Sequence, residues 1–267
     1  MSLPSPSDSA RALITGASQG IGKAIARDLA KLGHSLILVA RREYILRDLA
    51  EEFTRLYGVS VEVRPCDLSD RQARSELIQE IKQREINIIV NSAGVATFGP
   101  FITQDWDAEQ KQFELNATAV FELTQAVLPG MLERHTGAIL NVGSTAGNVP
   151  IPNNATYVFT KAGVNTFTEA LHYELRGTGV SCTLLAPGPV REAYIPPEEI
   201  TIVDRVVPGF LWTTYESCSV ETLAALAANR RRVVPGPLSK LMHIITVVFP
   251  TSIIAPLVGR VYKKMDQ

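Results

Sequence analysis

Residues 11–22 read RALITGASQGIG: a short apolar strand, Arg11 to Thr15, runs straight into a glycine-rich turn and then into a helical pattern. Ile21, Ile25, Leu29 and Leu32 recur at helical spacing on one face, and Gly33 stops the run. A turn between a strand's end and a helix's start faces unpaired N–H groups and the positive end of the helix dipole. Gly16, Gly20 and Gly22 let the backbone come close to a ligand, so the stretch reads as a pyrophosphate cradle. Its G-x-x-x-G-x-G spacing differs from the G-x-G-x-x-G dinucleotide fingerprint.

Outward from this unit the alternation repeats. Residues 36–40, LILVA, form a second strand, and a helix from Glu43 points Leu46, Leu49, Phe53 and Leu56 inward until Gly58. The strand VSVEVR and the turn Cys66-Asp67-Leu68-Ser69 follow, with Ser69 and Gln72 spaced as a capping box. INIIV, residues 86–90, closes with Asn91-Ser92-Ala93-Gly94; a helix spans about residues 110–132, and Ala138 to Val142 make another buried strand. A helix in VETLAALAANR and a short strand in RRVVPG come later. Strands alternating with helices of this length predict an α/β protein: a single Rossmann-like domain with a doubly wound parallel sheet and helices on both faces. With 267 residues, 46% of them hydrophobic, the chain can build one large core. The Pro/Ser-rich residues 1–9 read as a flexible lead-in, 10–240 as the domain, and 241–267 as an apolar tail packed on the domain or a partner.

The chemistry concentrates in residues 138–161, AILNVGSTAGNVPIPNNATYVFTK. Tyr157 and Lys161 are four apart, one helical turn, so the ammonium sits beside the phenol. A phenol ordinarily titrates near ~10, and an adjacent cation favours its ionised form, making Tyr157 usable as a general acid or base. Ser144 stands at a strand's carboxyl end, where open α/β sheets bind ligands, so both hydroxyls can reach one substrate oxygen. At the end of the second strand, where an acidic residue would bind the ribose 2′-hydroxyl of NAD, the chain has Arg41 and Arg42, which favour a 2′-phosphate. Asp67, at a strand's end, either caps that turn or, in a dinucleotide fold, faces the adenine region, and mid-helix Asn116 either bonds locally or is a candidate for holding a water. A net charge of −1 argues against nucleic acid as a partner. The three cysteines and four histidines show no metal-ligand spacing, so no metal is expected and the thiols read as reduced.

Thr15-Gly16-x-x-x-Gly20-Ile21-Gly22, Asp67, Asn91-Ser-Ala-Gly94, Asn116, Ser144, Tyr157-x-x-x-Lys161 and Pro187-Gly188 resemble, in order and approximate spacing, the short-chain dehydrogenase/reductase family. The match covers about residues 10–190. The resemblance implies that Ser144 holds the substrate carbonyl oxygen, Tyr157 exchanges its proton, Lys161 binds the nicotinamide ribose, and Asn116 keeps a water leading to Lys161. It also implies dinucleotide contacts from Gly16, Ser18, Ile21, Asp67, Ala93, Gly94, Pro187 and Val190, with Asn91 and Gly188 in the same turns. Two positions depart from the family pattern: Ser92 replaces a common Asn, and Glu192 stands where a Thr commonly holds the nicotinamide carboxamide. The expected activity is NADP(H)-dependent hydride transfer between nicotinamide and a ketone or secondary alcohol of hydrophobic character. The alternative is a non-catalytic NADP-binding regulatory or scaffold protein.

Residues 190–215 correspond to the family's substrate lobe, where Tyr194, Phe210, Leu211, Trp212 and Tyr215 could line an apolar pocket. A homodimer or homotetramer is expected through two helices, the first offering Phe113, Val120, Phe121 and Val127, the second Val164, Phe167 and Leu171. The tail, Leu241 to Val258, lacks Asp, Glu, Lys and Arg over 18 residues and is followed by Arg260, Lys263 and Lys264. Pro250 and Pro256 break it, so it reads as pieces buried against protein in a cytoplasmic enzyme, with peripheral membrane contact the less favoured reading.

Overall fold

The computed structural model describes residues 2–191, 212–250, 252 and 254–256. Its main sheet takes β1 (Arg11–Thr15), β2 (Leu36–Ala40), β3 (Val61–Pro65), β4 (Ile86–Asn91), β5 (Gly137–Val142), β6 (Val180–Leu185) and β9 (Arg232–Val233). Their order is β3-β2-β1-β4-β5-β6-β9 and every pairing is parallel. Two further two-residue strands, β7 (Val190–Arg191) and β8 (Thr213–Thr214), pair beside it.

Both faces of the sheet are covered, which is why the central strands read as unbroken apolar runs. On one face Ile14, Leu38, Ile88 and Leu140 meet α1 (Gly20–Lys31), α2 (Glu43–Tyr57) and α7 (Tyr215–Ala227) through Ile25, Leu29, Phe53 and Leu226. Their strand neighbours Leu13, Ile37, Ile89 and Ile139 point the other way, toward α3 (Arg71–Ile81), α5 (Ala119–Glu133) and α6 (Ala155–Glu174). The chain winds outward from β1 to β3, then returns to lay β4 on the other side of β1. That reversal opens a crevice at the carboxyl ends of β1 and β4.

Several local expectations need correction. Leu32 and Leu56 are exposed rather than inward. Leu32 is the cap residue beyond the last turn of α1, while Leu56 lies in the last turn of the 15-residue α2. That helix is roughly 22 Å long and overruns the five-residue strands beneath it, roughly 17 Å each. The cap of α3 is Asp70, whose side chain accepts from Ala73 N at 2.7 Å, because Ser69 is already committed to Asp67 through its amide and hydroxyl. The helix expected at 110–132 is three pieces: α4 (Trp106–Phe113), a π turn over Glu114–Thr118, and α5. The later helix begins at Tyr215, earlier than its apolar pattern indicated.

Candidate active site

At the crevice, β1 and β4 are fastened by the Thr15 hydroxyl, which accepts from the amides of Ser92 (3.0 Å) and Ala93 (3.1 Å). Gly16 follows in the left-handed region, φ 66°, with room for no side chain: a Cβ there would lie 2.8 Å from Ala93 N. A Cβ on Gly22 would collide with the Gly16 carbonyl. The N-cap of α1, Gln19, makes no side-chain cap, so the first amides of this helix remain directed at the crevice. The resulting cavity, about 450 Å³, is lined by Gly16, Ser18, Gly20, Ile21, Arg41, Arg42, Asp67, Ala93 and Gly94, together with Gln19 and Tyr215. A bare helix terminus and a glycine cradle closed to side chains fit a pyrophosphate.

The cavity's far rim carries the arginines. Arg42 donates to Ser18 Oγ at 3.0 Å and to Gln19 Oε1 at 2.5 Å, which folds its guanidinium over the glycine turn. Arg41 reaches Asp67 at 4.0 Å. Burial works against the Asp67 carboxylate, but the Ser69 hydrogen bonds and the Arg41 charge together hold its pKa below the usual carboxylate value. Cys66 also lines the cavity, and burial with Asp67 beside it pushes its thiol up to about 11, so it is no nucleophile there.

The other end is built on α6. Tyr157, Lys161 and Asn165 are successive residues of one helical stripe, i, i+4 and i+8. Lys161 is buried, its Nζ donates to the Val142 carbonyl at 2.8 Å, and it stands 5.8 Å from the Tyr157 ring centre. Burial alone pulls the ammonium from 10.5 down to about 8. Val142 and Gly94 are both cavity walls, and a Cβ on Gly94 would lie 3.5 Å from Lys161 Nζ, so the cation lies directly behind the wall.

Asn165, which sequence reasoning overlooked, grips Ser144 on both sides. Its Oδ1 accepts from Ser144 N at 3.3 Å and its Nδ2 donates to Ser144 O at 2.9 Å. Its stripe position, one turn beyond Lys161, was the available signal. Ser144 Oγ accepts from Ala146 N at 3.1 Å, which sets its rotamer and leaves its own proton to donate elsewhere. Asn116, in the π turn, spends its side chain on Val95: Oδ1 accepts the Val95 amide at 2.9 Å and Nδ2 donates to the Val95 carbonyl at 2.8 Å. It thereby fixes the chain just after Gly94.

The remaining candidates support these walls. Asn91 is buried in the core, donating to Thr124 Oγ1 and Asn141 Oδ1. The Pro187 carbonyl accepts from the Thr145 amide at 3.0 Å, tying the Pro-Gly turn to the segment after Ser144. Gly188 abuts Ser239, and Val190 pairs with Thr213 in the small sheet. Glu192, Tyr194, Phe210 and Leu211 lie outside the described residues. Of the other two aromatics expected in the substrate lobe, Trp212 stacks under Arg191 at 4.7 Å and Tyr215 packs near Gly20 on the cofactor cavity. Among the described residues no group of three His, Cys, Asp or Glu could hold a metal ion.

The family profile for short chain dehydrogenases matches residues 10–196. The chain belongs to this family. It is an oxidoreductase family that binds a nicotinamide cofactor, acts on small molecules and is commonly oligomeric. A very-long-chain 3-oxoacyl-CoA reductase of Laccaria bicolor is 39% identical over 174 residues, covering 64% of this chain and 52% of that protein, so the chain spans about half the length of that relative. The ketoacyl reductase HetN of Nostoc sp. is 31% identical over 261 residues, 94% of this chain and 87% of HetN. Among solved structures, a short-chain dehydrogenase from Sphingobium yanoikuyae in complex with NADPH superposes with a TM-score of 0.76 at 27% identity, covering 97% of this chain and 96% of that one.

Proposed function

We propose that this chain is an NADP(H)-dependent oxidoreductase interconverting a hydrophobic ketone and its secondary alcohol, with Tyr157 as the general acid/base. The observation that carries this reading is the single stripe Tyr157, Lys161 and Asn165, which sets a buried cation beside the phenol and holds Ser144 from the same helix. When bound, the nicotinamide supplies or accepts the hydride. Ser144 donates its remaining proton to the substrate oxygen and polarises the carbonyl. Tyr157 gives that oxygen its proton in reduction and takes it back in oxidation, while the Lys161 charge stabilises the phenolate left behind. Asn116 keeps Val95 and Gly94 in place beside Lys161.

NADP(H) rather than NAD(H) is favoured by Arg42, which two hydrogen bonds hold over the cradle, and by a relative solved with NADPH. The hydrophobic substrate accords with the ketoacyl and oxoacyl relatives. A non-catalytic NADP-binding role gives no reason to bury an ammonium at Lys161. A homodimer or homotetramer through α4, α5 and α6 accords with exposed Phe113, Phe121 and Phe159 on that face. Val120 and Val164 line an apolar groove on the same face with Phe121 and Phe167, whereas Val127 and Leu171, also expected there, pack into the chain's own core. Three free cysteines accord with a cytoplasmic location. Thermal-shift titration with NADPH and NADH, followed by turnover on a panel of ketones and alcohols, tests the reading. Stabilisation by NADH alone, or by neither, together with no turnover across the panel, overturns it.

A further inference from the structure

Tyr215 reads in the sequence as a wall of the substrate lobe, yet its ring stands over the glycine turn. It lines the cavity together with Gly16, Ser18, Gly20 and Ile21. A Cβ on Gly20 would lie 3.6 Å from the Tyr215 Cε1 and Cζ and 3.9 Å from the phenol oxygen, so the hydroxyl end of the ring is the part that meets the turn. Gly20 is the first residue of α1 and has a left-handed φ of 58°. Its missing side chain leaves the space that the ring approaches.

The neighbours of Tyr215 hold the phenol in that place. Thr213 is buried, its Oγ1 donates to the Pro235 carbonyl at 3.4 Å, and a side chain on Gly236, the residue before α8 (Pro237–Val248), would collide with it. Thr214 Oγ1 accepts from the Ser217 amide at 3.1 Å and so caps α7, of which Tyr215 is the first residue. Glu216 faces Arg27 of α1 at 3.7 Å, bridging the two helices. Thr213 also pairs with Val190, which ties the segment to the strand after the Pro187-Gly188 turn.

We infer that Tyr215 is a cofactor-binding residue whose hydroxyl donates to the pyrophosphate at the mouth of α1. The inference rests on the nicotinamide-cofactor reading of this cavity. The first amides of α1 meet a pyrophosphate from one side, and the oxygens turned away from them need donors of their own. Both arginines of the cavity stand on the rim at the end of β2, where Arg41 faces Asp67 and Arg42 donates to Ser18 and Gln19. Tyr215 brings a hydroxyl to Gly20 itself, beside those amides. Its oxygen can donate and accept at once, and a ring already fixed by its neighbours loses little freedom when the ligand arrives. NADPH and NADH share the pyrophosphate and differ at the 2′ position, so this contribution is equal for the two, unlike that of Arg42.

The test is isothermal titration of Tyr215→Phe, which keeps the ring and removes the hydroxyl. NADPH and NADH should each bind about tenfold more weakly than to the wild type. Adenosine 2′-monophosphate, which carries the 2′-phosphate but no pyrophosphate, should bind variant and wild type alike. Wild-type affinity of the variant for whichever cofactor the wild type binds overturns the inference and leaves the cofactor reading standing. A loss shared by adenosine 2′-monophosphate overturns it too, assigning the effect to the adenosine end or to the fold, and so does a loss for NADPH alone. A wild type that binds neither cofactor overturns the inference and the cofactor reading together.

Discussion

Among the described residues two side chains that carry a cation, Arg74 and Lys161, are buried, and they are treated in opposite ways. Arg74, on α3, is 1% exposed yet fully partnered: it donates to Glu122, Glu114 and the Leu68 carbonyl, each at 2.7 Å. Burial alone would disfavour its charge, but the hydrogen bonds it donates to Glu122 and Glu114, with the charges of those carboxylates, outweigh it and hold the pKa above its usual value. Lys161 instead donates to a neutral partner, the Val142 carbonyl, and burial pulls it down to about 8. The first arrangement ties α3 to the π turn and to α5. The second stores an uncompensated charge beside a phenol, which costs stability and is retained where chemistry needs it.

The largest effect is expected from Tyr157→Phe, which keeps the ring's packing and removes the group that Lys161's charge serves. Turnover should fall ~10²–10⁴-fold with NADPH binding nearly unchanged. Retention of most activity would mean that the charge at Lys161 serves something else.

Lys161→Met sharpens the contrast because it should abolish turnover yet stabilise the folded chain. The folded pKa lies below the unfolded 10.5, so the penalty is fully present below about pH 8 and is relieved as pH climbs toward 10.5, where the unfolded chain still holds the proton that the folded one has lost. The gain should be on the order of 3 kcal/mol at pH 7 and shrink toward pH 10. Melting curves across that window check it; a less stable variant at pH 7 breaks the comparison.

Arg74→Met should do the reverse. It leaves two carboxylates facing each other and the Leu68 carbonyl unpaired, and because both glutamates are about two-fifths exposed, water recovers part of the loss. We expect about 2–3 kcal/mol of destabilisation by denaturant unfolding, with Michaelis behaviour otherwise near wild type. A melting point equal to wild type would show that the clamp contributes little.

Arg42 supplies the exposed reference. Arg42→Ala should weaken NADPH roughly tenfold, about 1.5 kcal/mol, and leave NADH unaffected, whereas Arg41→Ala, already facing Asp67, should do less. Isothermal titration with both cofactors decides, and equal losses for the two would remove the 2′-phosphate assignment.

The sequence by itself determined the order of elements, the parallel sheet, the glycine turn and the Tyr157/Lys161 pair, because each rests on local periodicity or spacing that the backbone must follow. Leu32 and Leu56 escaped that reading since a helical pattern does not reveal where the sheet beneath the helix ends. The break at Asn116 and the use of its side chain on Val95 depend on a contact between residues 21 apart in the chain. Only the tertiary structure decided that Asn165 holds Ser144, that Tyr215 lines the cofactor cavity, and that α8 turns Leu241, Ile244 and Val248 outward rather than against the domain. Burial, and with it the depressed ammonium of Lys161, is a property of what surrounds a residue in space, and no window of sequence contains that.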